Sequence, residues 1–326
     1  MATLNLQARR NKPRLYTLPE IPDGTVELNC SFNELRTIPQ LPASVRVLNC
    51  QYNRSLRSIE PLPNLRLLKC NNCSLTALPE LPLALRTLEC HVNELTSLPD
   101  LPESLENLQC AQNMLTALPA LPARLEYLNC DNNNIGSLPP LNIGLRELSC
   151  VNTELTSLPP LPQTLIILKC VGNRLTELPK LPPNLRELMF NHNRISVIPE
   201  LPDSLTRISL HSNPLQEPFL TCYNDYTLSG DINEFKRNIN ALYADQRASK
   251  KAGRNLMTAK LTLRHYPDNL QSHIGTGLSG QTGTLTHQRV KLQESASRIP
   301  GADSVSRKRK SKSRKSKSRK SRSNRL

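Results

Sequence analysis

Apolar positions recur along most of this chain with a fixed step. Every twentieth residue from Cys30 to Cys170 is a cysteine (Cys30, Cys50, Cys70, Cys90, Cys110, Cys130, Cys150, Cys170), and Phe190 and Leu210 continue the series. Around each of them the order is L-x-x-L-x-C-x-x-N-x-L-x-x-L-P-x-L-P-x-x, read most plainly in Leu85, Leu88, Cys90, Asn93, Leu95, Leu98, Pro99, Leu101 and Pro102. A strict period of this length predicts a solenoid, because one such unit cannot bury its apolar side alone and must stack on its neighbours. In L-x-x-L-x-C the second leucine and the cysteine are two apart, so they share one face of a short strand while the residues between and beside them face out. Successive strands then form a parallel sheet on the concave side of a horseshoe.

The asparagine three residues after the ladder position (Asn33, Asn53, Asn93, Asn113, Asn133, Asn173, Asn193, Asn213) falls where the chain turns inward. Its amide can pair backbone groups of adjacent turns that burial would otherwise leave unsatisfied. Cys73 and Thr153 take its place in two units. The L-P-x-L-P half has no helical period, and its prolines forbid a helical hydrogen-bond ladder, so the convex side is expected to be extended. In the third unit an extra residue between Asn53 and Leu56 is offset by a missing one between Pro63 and Leu65, so Cys50 and Cys70 keep their spacing.

The pattern divides the chain into an N-terminal flank (1–14), a solenoid of about ten units (15–218), a helical capping segment (219–300) and a basic tail (301–326). Asp231 with Glu234 reads as a capping box, and Ile232, Phe235, Ile239 and Leu242 follow at helical spacing up to Gly253, a plausible stop. Such a helix would close the open end of the solenoid. Further helical stretches are expected at 256–263 and 285–292. The glycines between them (Gly275, Gly277, Gly280, Gly283) match no phosphate-binding loop and read as a flexible connection.

Composition agrees with a leucine and cysteine core: 27 prolines, no tryptophan and 3% aromatic residues. No apolar run approaches the roughly 20 residues of a membrane helix. The opening MATLNLQARRNKP lacks the apolar stretch of a secretory signal, so a cytoplasmic or nuclear, reducing location is expected. Eight cysteines at inward positions then read as buried thiols rather than a disulfide framework. A metal or iron–sulfur site would need ligands converging on one point, and Cys70 with Cys73 is the only close pair. No cofactor or metal is predicted.

From Arg307 to Arg325 there are 12 lysines or arginines, six serines and no acid. Removing those 12 from the net charge of +15 leaves about +3, so the basicity is local. The stretch is expected to be disordered. Arg307, Lys308, Arg309 and Lys310 form a run of the nuclear-localisation type, and with Lys312, Arg314 and Lys315 they could instead hold nucleic acid through its phosphates. The outward strand positions are mixed and only modestly charged, which suits a protein partner better than a phosphate backbone. Tyr127, with Asn107, Gln109, Asn129, Asp131 and Glu147 around it, is the expected centre of that face, an aromatic anchor among adaptable polar groups.

The 20-residue unit with L-P-x-L-P resembles the LPX subclass of leucine-rich repeats, found in translocated bacterial effectors of the YopM and IpaH kind, over about residues 15–218. That resemblance implies a repeat surface that binds proteins. In the IpaH kind a ubiquitin-ligase domain follows, with its nucleophile in a C-x-D motif. Here Cys222 stands in Cys-Tyr-Asn-Asp, with Asp225 one residue too far, so the ligase is not implied. A cysteine-rich repeat followed by Gly253, Arg254, Asn255 and Leu256 also resembles, more loosely, leucine-rich repeat proteins of large DNA viruses of amoebae. No catalytic residue is predicted, since His91, His192 and His211 have no sequence-visible nucleophile or paired carboxylate beside them. Three functions follow from the sequence: a non-enzymatic protein-binding scaffold, a nucleic-acid-associated protein dominated by its tail, and a ligase-like enzyme using Cys222.

Overall fold

The computed structural model describes residues 2–8, 13–62 and 64–263, the last of these by backbone alone from residue 251. Residues 1–249 form one compact unit. Its strands are β1 (Ala2–Asn5), β2 (Thr25–Asn29), β3 (Thr37–Ile38), β4 (Val47–Asn49), β5 (Ser58–Ile59), β6 (Leu67–Lys69), β7 (Thr87–Glu89), β8 (Asn107–Gln109), β9 (Tyr127–Asn129), β10 (Glu147–Ser149), β11 (Ile167–Lys169), β12 (Glu187–Met189) and β13 (Arg207–Ser209). All but β3 and β5 join one parallel sheet of 11 strands in sequence order. Between β2 and β13 the paired residues of neighbouring strands in this sheet lie 20 positions apart, as Leu108 does from Leu88 and Leu128. The period therefore becomes a register, and every turn repeats the one before it.

Alternation along each three-residue strand does what its spacing predicts. Leu88, Leu108, Leu128, Leu148 and Leu168, with Cys90, Cys110, Cys130, Cys150 and Cys170 two residues on, have no exposed surface. The leucines that start each unit and follow each asparagine, such as Leu105 and Leu115, complete one continuous core. Opposite the sheet the chain is extended, and no helix occurs in 13–62 or 64–218. Its second leucine–proline pair opens a tight turn, as where the Leu105 N–H donates to Pro102 O at 2.9 Å. Two short strands that the pattern did not announce, β3 and β5, pair in parallel on this side.

The inward asparagines bridge the turns. Asn133 Nδ2 donates to Cys110 O and Cys130 O, both at 3.0 Å, and its Oδ1 accepts from Leu115 N–H at 3.0 Å. Asn53, Asn93, Asn113, Asn173, Asn193 and Asn213 make the same set one turn at a time. At the first position, Asn33 reaches Leu6 O instead of a preceding cysteine. Thr153 recovers part of this, its hydroxyl meeting Cys150 O at 2.8 Å and Asn173 Oδ1 at 3.0 Å. Cys73 offers only long thiol contacts of 3.5 Å to Cys50 O and Asn71 O.

Both ends of the repeat differ from the sequence expectation. Ahead of the first unit, in the stretch read as a flank, β1 pairs in parallel with β2, and the Leu6 N–H donates to Asn29 O at 2.7 Å. At the other end α1 (Phe219–Ser229) precedes the expected helix, seated by the buried Phe219. The second helix, α2 (Ile232–Leu263), starts as predicted: Asp231 Oδ1 accepts from the Asn233 and Glu234 N–H groups at 2.8 and 3.1 Å. The reciprocal half of the capping box is replaced, because the Asp231 N–H donates to Ser229 Oγ at 3.2 Å. Gly253 does not end the helix, which runs through it to Leu263. A lone glycine costs a helix only about 1 kcal/mol.

The first turns of α2 complete the solenoid by imitating one more unit. Phe235 and Ile239 are buried against the last turn, as the next leucines would be. Ser204 Oγ donates to Pro183 O and Leu185 O, both at 2.7 Å. One turn later Lys236 Nζ makes the equivalent pair of bonds, to Asp203 O at 2.8 Å and Leu205 O at 2.9 Å. Asn240 exchanges two backbone bonds with Leu201, each at 2.9 Å, and Tyr243 donates to Ile198 O at 2.7 Å. A solenoid end needs such a cover, since its last turn otherwise exposes its core edge.

Replacing Leu128 or Phe235 by alanine is expected to cost about 2–5 kcal/mol through cavity formation, measured by chemical denaturation. Cys110→Asp is expected to unfold turns locally, because it buries a charge without a partner. An unchanged midpoint in these variants contradicts the inward register.

Candidate interaction face on the sheet

The first and third residues of each strand point away from the core, and the 20-residue register stacks them in rows. Asn107, Tyr127 and Glu147 stand in one row of β8, β9 and β10, with Gln109, Asn129 and Ser149 in the next. All except Ser149 are half-buried by their neighbours. Ser149 lies fully covered because its hydroxyl is turned to a carboxylate: Asp131 Oδ1 accepts from Ser149 Oγ at 2.8 Å and from the Val151 N–H at 2.7 Å. The structure therefore brings together Asn107, Gln109, Tyr127, Asn129 and Glu147, while Asp131 acts as a staple between two turns. Burial pushes the Asp131 carboxyl up, against the opposing pull of the Val151 and Ser149 hydrogen bonds and of Lys169. Burial also raises the Tyr127 phenol, with the Glu147 charge adding to it.

Charges on this face are matched between turns. Lys69 Nζ lies 2.9 Å from Glu89, Lys169 Nζ lies 3.2 Å from Glu147, and Arg207 lies 3.9 Å from Glu187. Beside the strands Arg86 meets Glu106 and Arg146 meets Glu126, each at 3.4 Å. Sequence reasoning noted modest charge here but missed the pairing, whose signal is opposite charges 20 to 22 residues apart. The outward rows of the strands themselves carry no stripe of one sign.

The residue after the ladder cysteine is followed by a sharp reversal. Phe32, Tyr52, Asn72, Val92, Gln112, Asn132, Asn152, His192 and Ser212 all have φ between 52° and 60°, in the left-handed region. Only one turn uses glycine there, Gly172 with φ 68°. The conformation is held because the N–H at this position donates to the next turn, as from Asn132 to Val151 O at 2.7 Å. Phe32 and Tyr52 stack here with ring centroids 4.5 Å apart.

All ten cysteines are free thiols, nine of them buried. The ladder thiols point to the next strand, Cys50 Sγ to Lys69 O at 3.4 Å and Cys150 Sγ to Lys169 O at 3.4 Å. Burial pushes Cys30 and Cys170 from an ordinary 9.0 up to about 12 and Cys73 up to about 11. Cys222, on α1, is the exception and is half-buried. Burial and then the Asp225 charge raise its pKa too, the reverse of what activates a nucleophile. His192 and His211 meet edge to face with centroids 4.9 Å apart, and His211 Nδ1 lies 3.1 Å from Ser212 Oγ. Among the described residues no group of three His, Cys, Asp or Glu side chains is placed to hold a metal ion. Arg307, Lys308, Arg309, Lys310, Lys312, Arg314 and Lys315 lie outside the described residues.

Similarity to solved structures follows the same features. YopM, a leucine-rich effector protein from Yersinia pestis, superposes with a TM-score of 0.57 at 35% identity, over 61% of this chain and 58% of that one. The functional domain of InlJ from Listeria monocytogenes, which includes a cysteine ladder, gives 0.52 at 25% identity over 59% of this chain and 45% of that one. A Shigella effector leucine-rich repeat domain is 35% identical over 64% of this chain and 78% of that one, with a TM-score of 0.39. This chain thus spans 58% and 45% of the YopM and InlJ structures it matches. No family model matches the chain, and comparison with curated proteins gives no match.

A parallel solenoid with a ladder of asparagines, and with no helix opposite the sheet in residues 13–62 and 64–218, defines a repeat protein. In its 20-residue period and its parallel solenoid the chain is similar to leucine-rich repeat proteins such as YopM.

The thiols have a consequence for pH. Their folded pKa values lie above the unfolded value, so the stability they contribute is complete below pH 9 and declines as pH rises past it. The unfolding midpoint is expected to hold through pH 8 and to fall between about pH 9 and 11. Alkylation of the native protein at pH 8 is expected to label Cys222 alone, read by mass spectrometry. Labelling of the ladder cysteines without unfolding contradicts their burial.

Proposed function

We propose that this protein is a non-enzymatic scaffold that captures a protein partner on the outward rows of its sheet. Tyr127 is the anchor, with Asn107, Gln109, Asn129 and Glu147 as the polar surround. The supporting observation is the register itself: 11 strands in order hold their outward side chains in rows on a rigid backbone. Preorganisation of this kind lowers the ordering cost of association. The paired charges favour a protein surface over a phosphate backbone. Structural similarity to YopM and to the functional domain of InlJ points the same way.

In this reading the stretch from Arg307 to Arg325 directs the protein to the nucleus or tethers it to nucleic acid, in a cytoplasmic or nuclear setting where nine buried thiols stay reduced. A second reading rests on the same charge: 12 cationic residues in that stretch against about +3 in the remainder would make a nucleic-acid-associated protein with the repeats as adaptor.

Two comparisons separate these readings. A partner captured by the full chain is expected to survive deletion of 307–326 and to bind roughly 30-fold more weakly to Tyr127→Ala. Loss on tail deletion with no effect of Tyr127→Ala contradicts the scaffold. Duplex DNA binding by the full chain, and not by a chain ending at Val305, is expected to weaken steeply with salt if the tail holds nucleic acid.

A further inference from the structure

On the side opposite the long sheet, the third unit gathers arginines that no acidic side chain answers. Among the described residues, seven of the eight ion pairs join side chains of neighbouring turns. Arg174 with Glu154 at 3.3 Å is the pattern beside the descending chain. Arg36 and Arg57 occupy equivalent positions of adjacent turns, the Arg57 N–H donating to Arg36 O at 3.0 Å, and there like faces like. Adjacent rungs of a sheet lie about 4.8 Å apart, where two equal charges repel.

The extra residue of this unit adds to the concentration. Where other turns have one residue between the asparagine position and the next leucine, this turn has Arg54 and Ser55. Ser74 Oγ of the following turn donates to Arg54 O at 3.0 Å, fixing the widened loop. Arg36, Arg54, Ser55, Arg57 and Ser74 together line a depression of about 500 Å³ with no acidic residue in its wall. None of the three arginines takes part in an ion pair among the described residues.

We propose that this depression is a binding site for a single phosphate group, as the free ion or as a monoester. Three guanidinium groups supply forked donors that match the oxygens of a phosphate, and two hydroxyls supply further donors. A bound dianion would remove the repulsion that the two adjacent arginines otherwise retain. The site lies in the solenoid and draws on no residue of the basic tail.

The test is titration of the full-length, isotope-labelled protein with inorganic phosphate and, separately, with phosphoserine, read at the backbone amides of Arg54, Ser55 and Ser74. Saturable shifts at these amides are expected for at least one probe, with affinity falling about tenfold per arginine removed in R36Q and R36Q/R57Q. Those side chains are exposed, so both variants are expected to keep the wild-type unfolding midpoint. R174Q, which removes an already paired arginine, is expected to leave binding unchanged. Response to phosphoserine alone would assign the site to esters, and response to both would assign it to the phosphate group itself. Absence of saturable shifts with either probe, or equal affinity in R36Q/R57Q or equal loss in R174Q, overturns the proposal.

Discussion

Everything in the solenoid depends on how a buried turn disposes of its backbone polar groups. A chain that reverses direction inside an apolar stack leaves N–H and C=O groups that no strand can pair, and each unpaired group costs about 1–3 kcal/mol. In eight of the ten turns one asparagine amide answers this with two donors and an acceptor, reaching the turn before it as well as its own. The bond set ties adjacent turns at one fixed offset. Register, rise and the rows of outward side chains then follow from it.

The ladder position accepts cysteine, phenylalanine or leucine, all apolar and all fully buried, so it asks only for volume. Cysteine is smaller than leucine and adds a weak donor aimed at the next strand, which suits closely stacked short strands. Left-handed backbone two residues after the ladder position is likewise kept with valine, histidine or phenylalanine, because the turn-to-turn hydrogen bonds over-determine it. The outer surface is free to vary under these constraints. Opposite charges on neighbouring turns pair at several places on it, and the arginine-lined depression holds three arginines outside any such pair.

Period 20 and the asparagine were enough to read the sheet, the inward residues, the extended opposite side and the start of α2, because each rests on local spacing. What escaped depended on contacts between distant segments. Ala2–Asn5 carries no repeat signal and becomes a strand because β2 presents an open edge to it. Phe219–Ser229 has only one buried side chain and no side-chain cap, so its helical period is faint. Lys236 looks like an ordinary surface lysine in the sequence and is nine-tenths buried, substituting for the serine of a further turn. At the candidate face, Tyr127 and its neighbours were legible as outward residues, but the engagement of Asp131 with Ser149 and Val151 belongs to packing that spacing alone does not encode.

Amide hydrogen exchange in Asn133→Ala tests most directly whether the asparagine bridges create the register. Protection is expected to fall at Leu115, whose N–H loses its acceptor, and in the strands on either side, β8 and β9, while β12 and β13 keep theirs. Unchanged protection at Leu115 and in both neighbouring strands would show that leucine packing alone holds the turns, and would contradict the account.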